Sequence, residues 1–471
     1  MISKTKSLKE YQQQGDTKEA LDTLPKLKKE DLSTEPTIGK LERFDFEYPV
    51  LFSNYNVNGI NYINYYFDIS GLSNEQIKYV SLFTDLFSQL PTDELSFLDI
   101  TNFKMENTGS FGSSVNIYTD VNGEVHEQLL IGFSALKENV DKVNKFILNL
   151  LNKSNYNDES LKTRIQEIKI KLDQSFARSA NRKALVRALS NFDLEYLKTD
   201  LASGIGYLSF INNLIKNFDN LKDEIISNLE DIIKNFITSA NVTIGFVGTE
   251  DEFNFNKENV FEFVNSLNDL ACVLYQDEEL KNNKEAFKAA YNVNYCAKAG
   301  RLEKPYSGAL EVLTQIINYN YLWQKVRVLG GAYGCSMLVN QNNDIALSSY
   351  RDPNLENTLN IYDELGDYVS NLDLTEDEIL GFKISAMSNF EIVMHDKDLA
   401  ALMQRRYFKG LTYDALKKTK VEIVNTELKD LKEYGKYIKE AIFNGSTCVV
   451  GNEKKVNESQ KLFSDIKNLG E

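Results

Sequence analysis

Histidine is nearly missing. Only His126 and His395 occur in 471 residues, and they lie far apart along the chain. A metal site held by two histidines of one helix needs them three or four residues apart, so that both imidazoles share a face. The chain cannot assemble such a site by itself. Cysteine is also sparse: Cys272, Cys296, Cys335 and Cys448 form no CxxC pair, which excludes a zinc ribbon or thioredoxin motif and fits a reducing compartment. Proline at 6 and glycine at 24 favour long helices and strands over turn-rich sandwiches. No long apolar run is present to span a membrane. The opening MISKTKSLKEYQQQGDTKEA has no apolar leader core, so a cytoplasmic location is expected. Basic residues number 53 against 69 acidic ones, a net charge of −16 that argues against nucleic acid as partner. Neither GxGxxG nor GxxxxGK[ST] occurs, which removes a nucleotide loop.

What is present reads as a globular chain, 42% hydrophobic and 26% charged, and too apolar for disorder. Residues 1–35 are polar and predict a helical linker arm, with helical stretches near Lys6–Gln14 and Lys18–Lys29 broken at Gly15 and Pro25. The alternating runs 44–55 and 60–70, parted by Asn-Val-Asn-Gly, predict a hairpin. Ser73 and Gln76 form a capping box for a helix to about Leu90. A strand pair follows at 113–118 and 127–134, then helical periodicity over 136–240, then the strand 241–248. The stretch 266–290, containing QDEELKNNKEAFK, is the expected connection between domains. Beyond it the order recurs: strand 292–299, helix 308–326, strands 335–341 and 344–350, a helix from Pro353 with Asp352 as N-cap, another from Thr375 with Glu378 completing a capping box, strand 447–451 and a last helix. The expected fold is α+β, with two similar domains at 36–265 and 291–471, each a mainly antiparallel sheet covered by helices.

The candidate chemistry lies in YNYLWQKVRVLGGAYG (319–334). Tyr319, Leu322, Trp323 and Val326 recur at helical spacing and predict one buried face. Arg327 falls near the helix end, Gly330 and Gly331 permit a sharp exit, and Tyr333 opens the next strand. The plainer reading is an arginine that complements the helix dipole ahead of a glycine stop. The functional one is a fixed cation and a phenol donor that bind a peptide backbone and a developing oxyanion. Arg405 and Arg406, with Lys409, Lys417, Lys418 and Lys420, form a basic cluster: either a solvated helix face or a patch holding acidic or carboxyl-terminal peptide segments. His126, His395, Cys296 and Cys335 read as ordinary strand, loop and core residues.

The strings VRVLGGAYG (326–334) and SYRDPNLENTLNIYDELGDY (349–368) resemble the C-terminal half of presequence-protease-type zinc metallopeptidases, in the pitrilysin/insulysin (inverzincin) group that includes falcilysin. EPT (35–37), NYYFDISGL (64–72) and VNYCAKAG (293–300) extend the resemblance over essentially the whole chain. It implies two homologous halves, each of two α+β domains, joined by a helical hairpin whose end is residues 1–35. The halves would close around a chamber that admits unfolded peptides. The other half would carry HxxEH, the zinc and a distal glutamate. This half would supply an arginine and a tyrosine, which map onto Arg327 and Tyr333, with Gly330 and Gly331 as the structural turn. No HxxEH occurs here, so the chain is expected to be inactive alone and to hold no cofactor. Its implied partners are an N-terminal catalytic half carrying HxxEH, and unfolded peptides. Two further readings stay open: a separately made peptide-binding or scaffold subunit pairing with an HxxEH-bearing protein, and a helical interaction protein that binds no peptide.

Overall fold

Strands apolar on both faces belong in the middle of a sheet, and strands rich in serine and asparagine at its edge. The computed structural model describes all residues except 1, 14–16, 18, 21–22, 24–26, 271–279 and 392, and it follows this rule twice. The first sheet contains β1 (Glu42–Asp45), β2 (Pro49–Asn54), β3 (Ile60–Asp68), β4 (Ser110–Thr119), β5 (Val125–Leu136) and β6 (Val242–Gly248), in the order β1-β2-β6-β3-β5-β4. β6 is buried almost throughout and inserts between β2 and β3, parallel to the first and antiparallel to the second. The hairpin expected between 44–55 and 60–70 is therefore not formed. Its Asn-Gly signal is local, whereas flanking an apolar strand on both sides buries more surface. The run 44–55 is itself a hairpin, with Phe44 opposite Val50.

The second sheet repeats the plan with β7 (Lys284–Ala289), β8 (Tyr295–Arg301), β9 (Gly334–Val339), β10 (Asp344–Tyr350), β11 (Ser446–Asn452) and β12 (Asp465–Asn468), ordered β12-β7-β11-β8-β10-β9. The two orders superpose strand for strand except at the outer edge, which β1 fills from the N-terminal side and β12 from the C-terminal side. In each sheet the pairs are antiparallel apart from those around β2 and β6, and around β12, β7 and β11. The α+β plan with two similar sheets is thus as expected. Two details differ. β7 lies inside the stretch assigned to the connection, and β12 is too short and polar to signal itself. The middle of that connection, with Cys272, lies outside the described residues, as does part of the arm's second helical stretch; Ile2–Gln13 is helical.

Each sheet borrows a roof from the other unit. The long helix Asp158–Leu189 is helical on both sides of Ser179, whose backbone leaves the helical region and whose hydroxyl bonds back to the Ser175 carbonyl. Before the kink, Leu161, Ile165 and Ile168 pack in the first core. After it, Phe176, Ala180, Ala184 and Ala188 lie on the second sheet against Tyr295, Ala297, Ala299, Ala346 and Val450. Alanines on both surfaces let helix and sheet approach closely. In return the helix Asp396–Phe408, the crossing helix, lies on the first sheet. There Ala400 packs with Tyr55 and Val247, Phe408 meets Tyr66 and Tyr118, and Gln404 accepts from the Tyr66 hydroxyl at 2.8 Å.

Charged groups fasten the same seam. Arg187 of the long helix bonds Glu285 of β7 through two nitrogens, at 2.7 and 2.8 Å, and Asp200 at 2.9 Å. Arg301 of β8 bridges Asp193 and Asp344, at 2.7 Å each. Asp344 is wholly buried. Burial foremost, with Asp193 nearby and Arg301 opposing, pushes its carboxyl up to about 7. An acid whose folded pKa exceeds its unfolded value of about 3.9 supports the fold when protonated, and that support is lost as pH rises from about 4 to about 7. Asp344→Asn is accordingly expected to gain melting temperature relative to the parent as pH is raised from 5 to 7.5. A difference constant across that range would refute this role for Asp344.

Candidate functional site

The helix that carries Arg327 changes pitch partway. Gly308–Ile316 is α-helical and Ile317–Leu329 is π-helical, with about one residue more per turn. Its buried residues are Ile317, Tyr321, Leu322 and Val326, a repeat of four to five. The expected face is only half right. Leu322 and Val326 are buried, but Tyr319 is 55% and Trp323 41% exposed, because the wider winding rotates them outward. Tyr321 takes the inward place and donates to the Ile361 carbonyl at 2.7 Å.

Turning Trp323 outward gives Arg327 a support. The guanidinium carbon lies 3.8 Å from the indole centroid, a stacked cation–π contact that fixes a side chain otherwise free to rotate. The helix then stops on glycine. The N–H groups of Gly330 and Gly331 both return to the Arg327 carbonyl, and that of Ala332 to Val326. Gly331 has φ +81°, where a side chain costs about 1–2 kcal/mol, and a β-carbon at Gly330 would lie 2.5 Å from the Val326 oxygen.

Tyr333 follows, 68% exposed, with its N–H on the Tyr350 carbonyl and its ring edge-on to Tyr350 at 6.1 Å. This backbone bond is offset by one residue from the ladder, in which Gly334 faces Tyr350. The first sheet has the same offset: the Gly109 N–H reaches Ser134, whose ladder partner is Ser110. Where the first unit has Gly109, the second has a tyrosine standing in solvent.

A buried polar network beneath the turn sets its position. Asn354 donates to the Gly330 carbonyl at 2.6 Å, and its own N–H binds Asp352. Asp352 is fully buried and also accepts from Thr358; burial raises its carboxyl above the usual range, against those hydrogen bonds. The helix expected from Pro353 begins instead at Glu356, so Asp352 organises the loop before the helix rather than capping it. Arg351, at φ 48°, is held in the left-handed region by paired backbone bonds between Asn294 and Asp352, beside β8 and β10. Helical spacing alone does not reveal the arginine's aromatic support, although a lone tryptophan four residues before Arg327 is its signal.

The basic cluster divides. Arg406 donates to the Thr37 carbonyl at 2.7 Å, Lys417 pairs with Glu35, and Lys420 reaches the Glu35 carbonyl and Glu391. These residues hold the arm's end. The solvated-face reading fails for Lys420, which is buried. Arg405, exposed, is the member of its pair that lines a cavity.

Zinc does not fit the residues present. His126 stacks on Tyr118, near Phe408 at one end of the crossing helix, and His395 precedes the other end, about 20 Å away at 1.5 Å per residue. Asp120, beside His126, spends its oxygens on the turn N–H groups of Asn122 and Glu124 and on the Asn122 amide. Cys296 and Cys335 flank Ser349 from the strands on either side of β10, two strand spacings apart and too far for a disulfide; burial raises both thiols. No helix among the described residues is long and apolar enough to cross a membrane.

Comparison with known proteins agrees with this geometry. A family model described as associated with peptidase family M16, subfamily C, matches residues 1–214, and the model "PreP C-terminal domain" matches residues 284–452. Protein HypA of Clostridium perfringens is 28% identical over 100% of this chain and 49% of its own length. Presequence protease 1, chloroplastic/mitochondrial, of Arabidopsis thaliana is 25% identical over 98% and 44%. The chain therefore spans about half the length of the curated relatives it matches. Among solved structures, a conserved protein from Enterococcus faecalis V583 aligns with TM-score 0.65 and 13% identity, covering 88% of this chain and 99% of that one. A peptidase M16 inactive domain from Pseudomonas fluorescens aligns with TM-score 0.59 and 12% identity, covering 88% and 98%. At those identities the likeness concerns the fold. The matched family models, the sequence relatives and the repeated α+β units together place the chain in the M16 peptidases, as the C-terminal half of a presequence-protease-like member.

Proposed function

We propose that this half grips unfolded peptides and polarises the scissile bond for a catalytic half that carries HxxEH and the zinc. The observation that carries the reading is the pairing of an exposed phenol with an arginine braced on indole, both set by one glycine turn over a buried polar network. Surface residues of no consequence are seldom held so firmly. Tyr333 donates a hydrogen bond to the carbonyl oxygen on which negative charge accumulates during attack. Arg327 binds a neighbouring peptide carbonyl and keeps the chain in line. The hydroxyl and guanidinium are fixed beforehand, so little reorganisation is needed when charge develops.

The test is reconstitution. The chain is mixed with a separately purified, HxxEH-bearing N-terminal half of a presequence-protease-like enzyme, and cleavage of an unfolded peptide is followed. Turnover is expected only with both halves present, and a chelator is expected to abolish it. Cleavage by this chain alone, or no gain on adding it to the catalytic half, would overturn the proposal.

A further inference from the structure

β4 is an edge strand left open. The Asp120 N–H bonds inward to Glu124, and the Thr119 N–H points outward to the Glu195 carboxylate at 2.9 Å. Antiparallel alternation then turns the backbone groups of Phe111, Ser113, Val115 and Ile117 outward as well. None of these four N–H groups has a hydrogen-bond partner among the described residues. The corresponding edge of the second sheet is not left so, since the outward N–H of Met337 on β9 is taken by Asn318 at 2.7 Å.

The open edge has walls. A cavity of ≈ 960 Å³ runs along residues 113–118. The crossing helix bounds one side with Arg405, Phe408 and Lys409, and Arg182 of the long helix stands on the other. Beyond it a second cavity of ≈ 420 Å³ continues along 110–114, walled by Gln404. Gln404 is fully buried and leaves its Nε2 donor without an acceptor among the described residues. Arg182, Arg405 and Lys409 have no carboxylate partner among the described residues, in a chain of net charge −16 whose other cations are widely paired. The carboxylate on this wall, Asp85, accepts from the Tyr207 hydroxyl and is pushed towards its neutral form by burial.

We infer that this groove is a second peptide site, which takes an extended acidic segment as an added strand on β4. Main-chain pairing at 111, 113, 115 and 117 supplies the grip over about 20 Å of strand. The cations on the two walls meet carboxylates that alternate to either face of the added strand. The inference rests on the peptide-gripping reading for the nature of its occupant, but not on the Arg327–Tyr333 site.

The experiment measures binding to this chain with no catalytic half present, using a fluorescent unstructured peptide with glutamate at alternating positions. Comparison peptides are its lysine counterpart and a version N-methylated at every second residue. The glutamate peptide is expected to bind, the lysine peptide to bind at least about tenfold more weakly, and N-methylation to reduce binding about tenfold or more. Val115→Pro removes one outward donor at an edge position, where proline is tolerated, and should reproduce the N-methylation loss. Arg405→Glu should weaken binding and flatten its salt dependence. No binding of the glutamate peptide, or binding indifferent to N-methylation and to Val115→Pro, overturns the inference. Because no cleavage is read, that failure is distinct from failure of reconstitution.

Discussion

Tyr333→Phe is expected to slow the reconstituted two-half peptidase by about 10²–10³-fold in kcat with little change in KM, the usual cost of one oxyanion donor. The substitution is conservative for structure. The ring keeps its edge contact with Tyr350, the backbone bond to Tyr350 is untouched, and only an exposed hydroxyl is removed. Thermal stability should therefore stay unchanged while rate falls. Arg327→Ala should act differently, because a guanidinium that binds a ground-state carbonyl contributes to substrate affinity: KM rises and kcat falls less. Arg327→Lys is expected to recover little, since an ammonium lacks the planar face that stacks on Trp323. Full turnover by Tyr333→Phe would remove the phenol from the mechanism, whatever the arginine does.

The second large effect concerns stability. Arg187→Ala is expected to cost about 3–5 kcal/mol, read as a lowered urea midpoint, because it strands two carboxylates inside the protein. Asp200 and Glu285 are 0% and 2% exposed, and Arg187 is the shared cation that binds both. Asp200 retains the N–H groups of Ile205 and Gly206 at a helix start, so part of its charge remains compensated. Glu285 has no such substitute among the described residues and should account for most of the loss. Adding Glu285→Gln to Arg187→Ala should then recover stability, the signature of a coupled pair. A loss under about 1 kcal/mol, with no recovery in the double variant, would show that solvent at the partly exposed guanidinium governs the site instead.

Much of the fold was legible because local chemistry decides it. Ser73–Gln76 and Thr375–Glu378 form their capping boxes as read, since each satisfies its own helix start without help from afar. Strand partners were not legible. Nothing near residues 56–59 announces that β6, nearly two hundred positions later, will come between β2 and β3. The outward turn of Trp323 was hidden for a related reason: apolar spacing assumes an α-helical period, and the pitch of 317–329 is set by packing. Arg327 and Tyr333 could be singled out by their glycine turn and family resemblance. The network under that turn, built by Asn294, Asp352, Asn354 and Thr358, joins β8 to the loop after β10 and exists only once the sheet is formed. The basic cluster misled in part because sequence cannot separate Lys420, which is buried on the arm, from Arg405, which is not.

The exchange of roofing helices has a mechanical consequence. Prising the two units apart would strip Phe176 and its alanines from one sheet and Ala400 and Phe408 from the other at the same moment. Neither loss is compensated until both are complete, so no shallow hinge exists along this seam. Any gate that lets a peptide in must work elsewhere, on the surface offered to another polypeptide, with this chain swinging as one stiff jaw.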